Sequence, residues 1–184
     1  MKGKEKIILG IDPGTSVMGY GVIKIEQNQT SLLQYGVIHL SKYKTQEVKL
    51  RKIQEKMLAL IDEFLPDQVA LEAPFYGKNI QSMLKLGRAQ GVAMAAALGR
   101  DIPIAEYAPR RIKQAVTGNG NASKEQVSKM LQNLLNFAHD DKLLDATDAL
   151  AVALCHHYQK FNSKPKVKSW AAFVRDNSDR IKKK

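Results

Sequence analysis

Apolar positions along the chain follow two different periods, and the order of these patterns predicts an α/β fold. Residues 7–11 form a continuous apolar run, which is typical of a strand buried on both faces. A Pro-Gly turn separates this run from a second one at 19–23, close enough in sequence to form a hairpin. The order favours a mixed five-stranded sheet flanked by helices. Further strands are predicted at 31–40, 69–71 and 103–105, and helices at 46–65, 79–98, 110–116, from 123 onward and at 143–158.

Length and composition narrow the class of protein. A chain of 184 residues suits one domain of roughly 100–200 residues, and its 44% apolar content favours a packed core. No apolar run approaches the ~18 residues of a membrane span, so we expect no membrane association. The single Cys155 excludes an intramolecular disulfide and fits a reducing compartment, which favours the cytoplasm. A net charge of +11 makes nucleic acid the first partner to consider.

The charge is concentrated at the C-terminal end. Residues 160–184 hold nine Lys or Arg and two Asp, a net charge of +7, whereas residues 1–159 hold twenty bases and sixteen acids, a net charge of +4. We therefore predict one domain over 1–159 and a basic tail over 160–184. The tail is expected to be partly disordered or to contain a short docked helix. It either adds salt-sensitive affinity for DNA or serves only to solubilise the chain.

Four acidic residues lie beside the predicted buried sheet, where a charged side chain needs a structural or functional reason. Asp12 and Glu72 each end a predicted strand, and sites in α/β sheets gather beyond the carboxyl ends of strands. Asp145 and Asp148 lie three residues apart, so both project from one helix face. Four converging carboxylates would repel one another unless a cation lay between them, and oxygen ligands select Mg²⁺ or Mn²⁺. Two such ions about 4 Å apart form a phosphodiester-cleaving site.

Simpler interpretations of the same acids remain open at this point. An Asp before Pro-Gly is commonly a turn residue, which applies to Asp12. Asp145 and Asp148 could merely complement the dipole of the helix that they begin. Cys155, His156 and His157 could suggest a metal, but their place late on a helix favours packing.

Six short motifs follow one another in a fixed order over residues 6–158. They are Ile8-Leu9-Gly10-Ile11-Asp12-Pro13-Gly14, Gly19-Tyr20-Gly21, Glu72-Ala73-Pro74-Phe75, Lys85-Leu86-Gly87, Lys113-Gln114-Ala115-Val116 and Asp145-Ala146-Thr147-Asp148-Ala149-Leu150-Ala151. Each motif alone is weak, whereas the ordered set is highly specific. The set resembles the RuvC family of Holliday junction resolvases.

The resemblance implies a fold of the ribonuclease H-like (RNase H/integrase) superfamily and a homodimeric endonuclease. Its expected activity is Mg²⁺-dependent symmetric nicking of two strands of like polarity in four-way DNA junctions, during recombination and repair. The products would carry 5′-phosphate and 3′-hydroxyl ends, and a branch-migration complex of RuvA and RuvB type is a possible physical partner. The four acids listed above, Asp12, Glu72, Asp145 and Asp148, take the family's catalytic, metal-binding places, with two ions per site.

The resemblance also implies residues that contact DNA or a second subunit. Phe75 matches an aromatic residue used against the junction, and Lys113 and Lys124 match lysines close to the scissile phosphate. Arg88 and Arg111 are weaker candidates for backbone contacts. The small residues at four-residue intervals on one predicted helix allow close approach of another element, which packing on the sheet explains equally well. The resemblance favours a dimer interface at these positions, Gly87, Gly91 and Ala95.

Three other functions compete with this interpretation. Residues 10–15 are similar to the first phosphate loop of actin-like and sugar-kinase ATPases, but 184 residues are too few for two such domains. An RNA-processing nuclease of the related YqgF type could share the early Asp motif. A non-catalytic junction-binding protein would need the basic surface but not the four acids.

Overall fold

The chain forms a single mixed sheet with helices on both faces. The computed structural model describes residues 5–74, 79–138 and 144–162, with the side chains of the last helix described as far as 159. The elements, in chain order, are β1 (Lys6–Asp12), β2 (Val17–Glu26), β3 (Gln29–His39), α1 (Gln46–Phe64), β4 (Gln68–Glu72), α2 (Ile80–Leu98), β5 (Ile104–Tyr107), α3 (Pro109–Thr117), α4 (Lys124–Leu135) and α5 (Leu144–Asn162).

The sheet has the strand order β3-β2-β1-β4-β5. The first three strands form an antiparallel meander, whereas β1, β4 and β5 are mutually parallel. The predicted mixed five-stranded sheet is therefore confirmed. Because β1 and β4 are parallel neighbours, their carboxyl ends, Asp12 and Glu72, lie at the same edge of the sheet.

The two faces of the sheet are covered by different helices. One apolar cluster joins the sheet to α1 and α2, with Met57 and Ala93 among its fully buried members. The other cluster joins it to α3, α4 and α5, with Leu131 and Leu154 fully buried. Strands buried on both faces explain the continuous apolar run of β1. Within the ranges that the structure describes, no helix is both long and apolar enough to span a membrane.

Local sequence signals explain where several helices begin and end. Thr45 caps α1 by accepting a hydrogen bond from the Val48 amide, and the helix ends at Leu65 in the left-handed region before Pro66. Ser123 and Gln126 form a reciprocal capping box at the start of α4. This cap fixes the start of α4, and its first residue is Lys124.

Helix α5 lies unusually close to the sheet because three glycines of β1 and β2 face it. A Cβ atom added to Gly10 would overlap the Ala149 carbonyl oxygen, and one added to Gly19 would overlap the Asp145 carbonyl oxygen. A Cβ on Gly21 would lie 2.6 Å from a methyl carbon of Leu150. The missing side chains let the backbone of α5 rest directly on the strands.

The predicted boundary at 159 falls within the last helix, which continues to Asn162. Residues 163–184 of the basic tail lie outside the described residues.

Candidate active site

Asp12 and Glu72 lie side by side at the carboxyl edge of the sheet. Ile11 pairs with Leu71 in the parallel register, and each acid is the next residue of its strand. Adjacent strands are about 4.8 Å apart, so the two carboxylates are immediate neighbours. Both side chains are only partly accessible to solvent. The sheet therefore holds two acids together before any helix contributes.

Helix α5 brings two further acids to this edge. Asp145 is in its first turn, and Asp148 follows on the same face. One carboxylate oxygen from each of Asp12, Asp145 and Asp148 can be chosen so that all three lie within 4.8 Å of one another. Glu72 stands beside this trio and lines the same cleft as Asp12 and Asp148. The structure thus brings together all four acids that the sequence singled out.

Two of these acids, Asp12 and Glu72, have raised pKa values. Burial, followed by the charges of Glu72 and Asp148, raises the pKa of Asp12 from 3.8 to about 8. Burial and the charge of Asp148 raise the pKa of Glu72 from 4.5 to about 7. Burial is the larger cause of both shifts, and the repulsion between neighbouring carboxylates adds to it. A cluster of oxygen donors like this one fits a hard divalent cation.

Two lysines line a cleft of about 270 Å³ together with the carboxylates. Lys113 comes from α3 and Lys124 from the first turn of α4, and both lower the pKa of Glu72. The Lys124 ammonium donates a hydrogen bond of 2.6 Å to Asp148 Oδ2. The cleft therefore holds three acids, Asp12, Glu72 and Asp148, together with two lysines. Its apolar lining consists of Pro109, Ile112, Val127 and Ala151.

The sequence matches one protein family over most of its length. The family model described as "Crossover junction endodeoxyribonuclease RuvC" matches residues 8–156. The crossover junction endodeoxyribonuclease RuvC of Cytophaga hutchinsonii is 58% identical over 97% of this chain and 89% of its own length. The RuvC of Porphyromonas gingivalis is 55% identical over 99% of this chain and all of its own length.

This chain belongs to the RuvC family.

A solved structure supports the same assignment. The structure described as "T. thermophilus RuvC in complex with Holliday junction substrate" superposes with a TM-score of 0.79 at 30% identity. The similarity covers 85% of this chain and 96% of that one. The predicted ribonuclease H-like fold class is therefore confirmed.

Of the other DNA-contact residues expected from the RuvC resemblance, the structure places two away from the cleft. The Arg111 side chain donates a hydrogen bond to Gln159, near the end of α5. At 1.5 Å per residue, this position is roughly 20 Å along α5 from Asp145. Arg88 is exposed on α2 and lies close enough to Glu47, in the first turn of α1, to lower its pKa. Phe75 lies outside the described residues.

A second cleft adjoins the first, and one of its residues was missed by sequence reasoning. It encloses about 160 Å³ beside Asp12 and Glu72 and reaches Leu86 and Gln90 of α2. Gln90 is almost fully buried, and its amide donates a hydrogen bond of 2.5 Å to Glu106 Oε1. The available signal was a polar residue within the buried stripe of α2, where its neighbours are alanines.

The predicted subunit face of this RuvC-family chain is open in the structure. A Cβ added to Gly87 or Gly91 would meet nothing within 4 Å, and Ala95 is exposed. These residues are therefore not used to pack α2 on the sheet, which removes that alternative. Large apolar residues extend the same helix face, where Ile80 is 72%, Leu84 51% and Leu98 54% exposed. We call these six residues the α2 stripe.

Proposed function

We propose that this protein is a structure-selective endonuclease that resolves four-way DNA junctions in recombination and repair. The observation that carries the proposal is the convergence of the oxygens of Asp12, Asp145 and Asp148 beside two lysines. Membership of the RuvC family and the similarity to a RuvC bound to a Holliday junction support it. The expected reaction is nicking of two strands of like polarity at symmetric positions, which leaves 5′-phosphate and 3′-hydroxyl ends.

The four carboxylates are the residues that would hold the metal. They offer only oxygen donors. The pKa of Asp12 is raised first by burial and then by the charges of the other acids, and a bound cation would compensate those charges. We propose Mg²⁺, with Mn²⁺ as a substitute and two ions per site. When bound, such ions supply Lewis-acid activation of water and stabilise charge on the scissile phosphate.

The lysines of the cleft have a complementary role. Lys113 and Lys124 line the cleft with the acids, so a phosphate entering it would meet two positive charges. The hydrogen bond from Lys124 to Asp148 fixes both side chains relative to each other. Lys124 thereby keeps Asp148 oriented toward the cleft while its own charge remains beside the phosphate position. Phe75, which follows Glu72 by three residues, stays a prediction for stacking on an unpaired base.

We further propose that the active form is a homodimer joined through the α2 stripe. Exposed apolar residues flank small ones, so a second copy of the helix could approach closely and cover them. A two-fold dimer presents two equal sites to a substrate that itself has two-fold symmetry. This matches the paired cuts that resolution requires.

The same function suggests a cellular location, a partner complex and a role for the basic tail. DNA junctions arise on the chromosome, so the proposed place of action is the cytoplasm, and contact with a RuvA/RuvB-type complex stays a prediction. The basic tail over 160–184, whose charge is +7, is expected to add sequence-independent DNA affinity.

A cleavage assay with several substrates tests the function directly. The protein is incubated with a synthetic four-way junction, a linear duplex of the same sequence and a structured RNA, with Mg²⁺ or with EDTA. We expect Mg²⁺-dependent cleavage of the junction only. Cleavage of the RNA instead would favour a YqgF-type nuclease, and junction binding without cleavage in Mg²⁺ or Mn²⁺ would favour a non-catalytic junction-binding protein.

A further inference from the structure

A second basic region lies on the segment that joins β3 to α1 and on the first half of α1. Residues 42–56 carry six bases against two acids, Glu47 and Glu55. Neither the carboxylate cleft nor the α2 stripe uses these bases. They are Lys42, Lys44, Lys49, Arg51, Lys52 and Lys56.

This region is attached to the same edge of the sheet as the carboxylates. His39, the last residue of β3, pairs with Val17, and Gly19 of the same strand pairs with Asp12. The amides of Leu40 and Ser41 donate hydrogen bonds of 2.8 and 2.9 Å to the Ser16 carbonyl oxygen. The end of β3 is thus tied to the loop that follows Asp12.

A lysine of α1 contacts that loop as well. The Lys49 ammonium donates a hydrogen bond of 3.3 Å to the Thr15 carbonyl oxygen. Three residues of extended chain span at most about 10 Å, so this ammonium lies within roughly 15 Å of Asp12. Positions 52 and 56 follow on the same face of α1 at helical intervals.

The lysines surround a groove of about 400 Å³ between β3 and α1. Among the described residues that line it, Glu55 is the one acid, and Lys42, Lys52 and Lys56 are the bases. Lys42 lies 5.3 Å from the centre of the Tyr43 ring, and Lys56 lies 4.8 Å from that of Tyr20. At these distances the rings attract the ammonium groups through cation–π interactions. We call this surface the α1 groove.

We propose that the α1 groove binds the phosphate backbone of the duplex arm next to the cleaved phosphate. This inference rests on the proposed function for the position of that phosphate. A duplex turn spans about 34 Å, so an arm that starts at the carboxylates passes the groove within half a turn. Lysines spaced along a groove neutralise successive phosphates without reading base sequence.

The position of the groove favours nucleic acid over an acidic protein as its occupant. It is continuous with the active-site edge through the contacts of Ser16 and Thr15. Arg88 of α2, which acts on Glu47, extends the positive surface toward the α2 stripe. A duplex arm crossing this edge would therefore meet one basic track.

Salt dependence of DNA binding tests the proposal. The double variant Lys42→Gln/Lys52→Gln removes two charges from the groove. The control Lys24→Gln/Arg100→Gln removes two charges away from the groove. Lys24 pairs with Ile7 near the start of β1, and Arg100 follows the end of α2. Lys24 forms an ion pair with Glu26 at 3.1 Å, and Arg100 forms one with Asp62 at 3.1 Å. Lys52 is likewise paired with Glu55, so both double variants break surface ion pairs.

Binding is measured by fluorescence anisotropy in EDTA, on a four-way junction and on a linear duplex, over a series of salt concentrations. The slope of log Kobs against log salt is negative, and each lost phosphate contact reduces its magnitude by about 0.9. The magnitude should therefore fall by about 1.8 in the groove variant and stay unchanged in the control. A groove variant with the slope of the control would overturn the proposal and favour an acidic protein surface as the occupant. Melting curves verify that each variant folds. If the double variant does not fold, the two single variants replace it, each with an expected reduction of about 0.9 in the magnitude of the slope.

Failure of the groove and failure of the function give different results. If the unchanged protein cleaves junctions but the groove variant keeps its salt slope, the groove assignment is wrong and the function stands. If the unchanged protein cleaves no junction while the groove variant loses slope on both DNAs, the groove binds DNA and the proposed function is wrong.

Discussion

At the scale of single residues, the protonation of Asp12 affects the stability, the metal binding and the DNA affinity of the site. It is the acid whose environment includes all three others, and its pKa of about 8 follows first from burial and then from those neighbours. Removing its charge therefore affects catalysis, stability and DNA binding in different directions. Two predictions separate these effects.

The variant Asp12→Asn should abolish cleavage while keeping or improving junction affinity. It removes a metal ligand and, above pH 8, where the Asp12 carboxyl is charged in the metal-free protein, also a negative charge beside the phosphates. Cleavage is followed on labelled junctions in Mg²⁺, and affinity is measured in EDTA. A folded variant that no longer binds junctions would contradict the role assigned to Asp12.

The same variant should stabilise the metal-free protein at high pH. A pKa raised from 3.8 to about 8 means that the native state resists losing the Asp12 proton, so stability is fully present below pH 4 and is lost as pH rises through 8. The loss is at most about 1.4 kcal/mol per pH unit in that window. Asn does not titrate, so its advantage in urea denaturation should grow from pH 4 to 8 and level off above.

Added Mg²⁺ provides the control for this measurement. The ion should raise the stability of the unchanged protein at pH 8 and have little effect on Asp12→Asn. An advantage of Asn that does not vary with pH would show that the Asp12 carboxylate is not held in the protonated form.

Some single-residue roles were readable from the sequence and others were not. The buried His156 bonds through its ring nitrogens to Tyr107, at 2.7 Å, and Gln68, at 2.8 Å, which supports the interpretation of residues 155–157 as packing. Gln90 was missed because its contact with Glu106 joins α2 to β5. A contact between elements distant in sequence leaves no local pattern.

At the scale of elements, the position of α5 depends on the glycines beneath it. Strands and helices follow from apolar periodicity, so their order could be predicted from sequence. The depth at which α5 sits could not, because it depends on which strand residues face that helix. Gly19 is the critical one for the site, since it lies against the backbone of Asp145 itself.

The variant Gly19→Ala should weaken metal binding by displacing the first turn of α5. Its Cβ would overlap the Asp145 carbonyl oxygen, and overpacking of this kind typically costs about 1–3 kcal/mol. Gly36→Ala on β3 is the control, because its Cβ would lie 2.7 Å from the Tyr20 hydroxyl oxygen, in the cluster that packs on α1 and α2 rather than on α5. Both should melt at lower temperature, measured by differential scanning fluorimetry. Only Gly19→Ala should also lose most of the Mg²⁺-induced rise in Tm, and a full rise in that variant would contradict the positioning role.

At the scale of the whole molecule, the exposure of the α2 residues distinguishes two roles that the sequence left open. Small residues on α2 fitted either sheet packing or a subunit interface, and the structure leaves them uncovered beside exposed apolar residues. The distribution of charge was likewise only partly readable. The basic tail was evident from composition, whereas the α1 groove emerges only when β3 and α1 are placed together.

The variant Gly91→Glu should convert the protein to monomers. A carboxylate in the middle of the α2 stripe would be buried without a partner in the proposed dimer. Asn133→Glu, at an exposed position of α4, adds the same charge away from the stripe and should remain dimeric. Sedimentation velocity distinguishes the two states. A dimeric Gly91→Glu variant would place the subunit interface elsewhere.

Coupled cleavage of a cruciform is the most direct test of the central claim that paired carboxylate sites resolve a four-way junction. A supercoiled plasmid with an extruded cruciform yields linear DNA if both strands are cut while the protein stays bound, and nicked circles if each cut is independent. The account predicts linear product in Mg²⁺, none in EDTA, and none with Asp12→Asn. Nicked circles alone, or no Mg²⁺-dependent product, would contradict it.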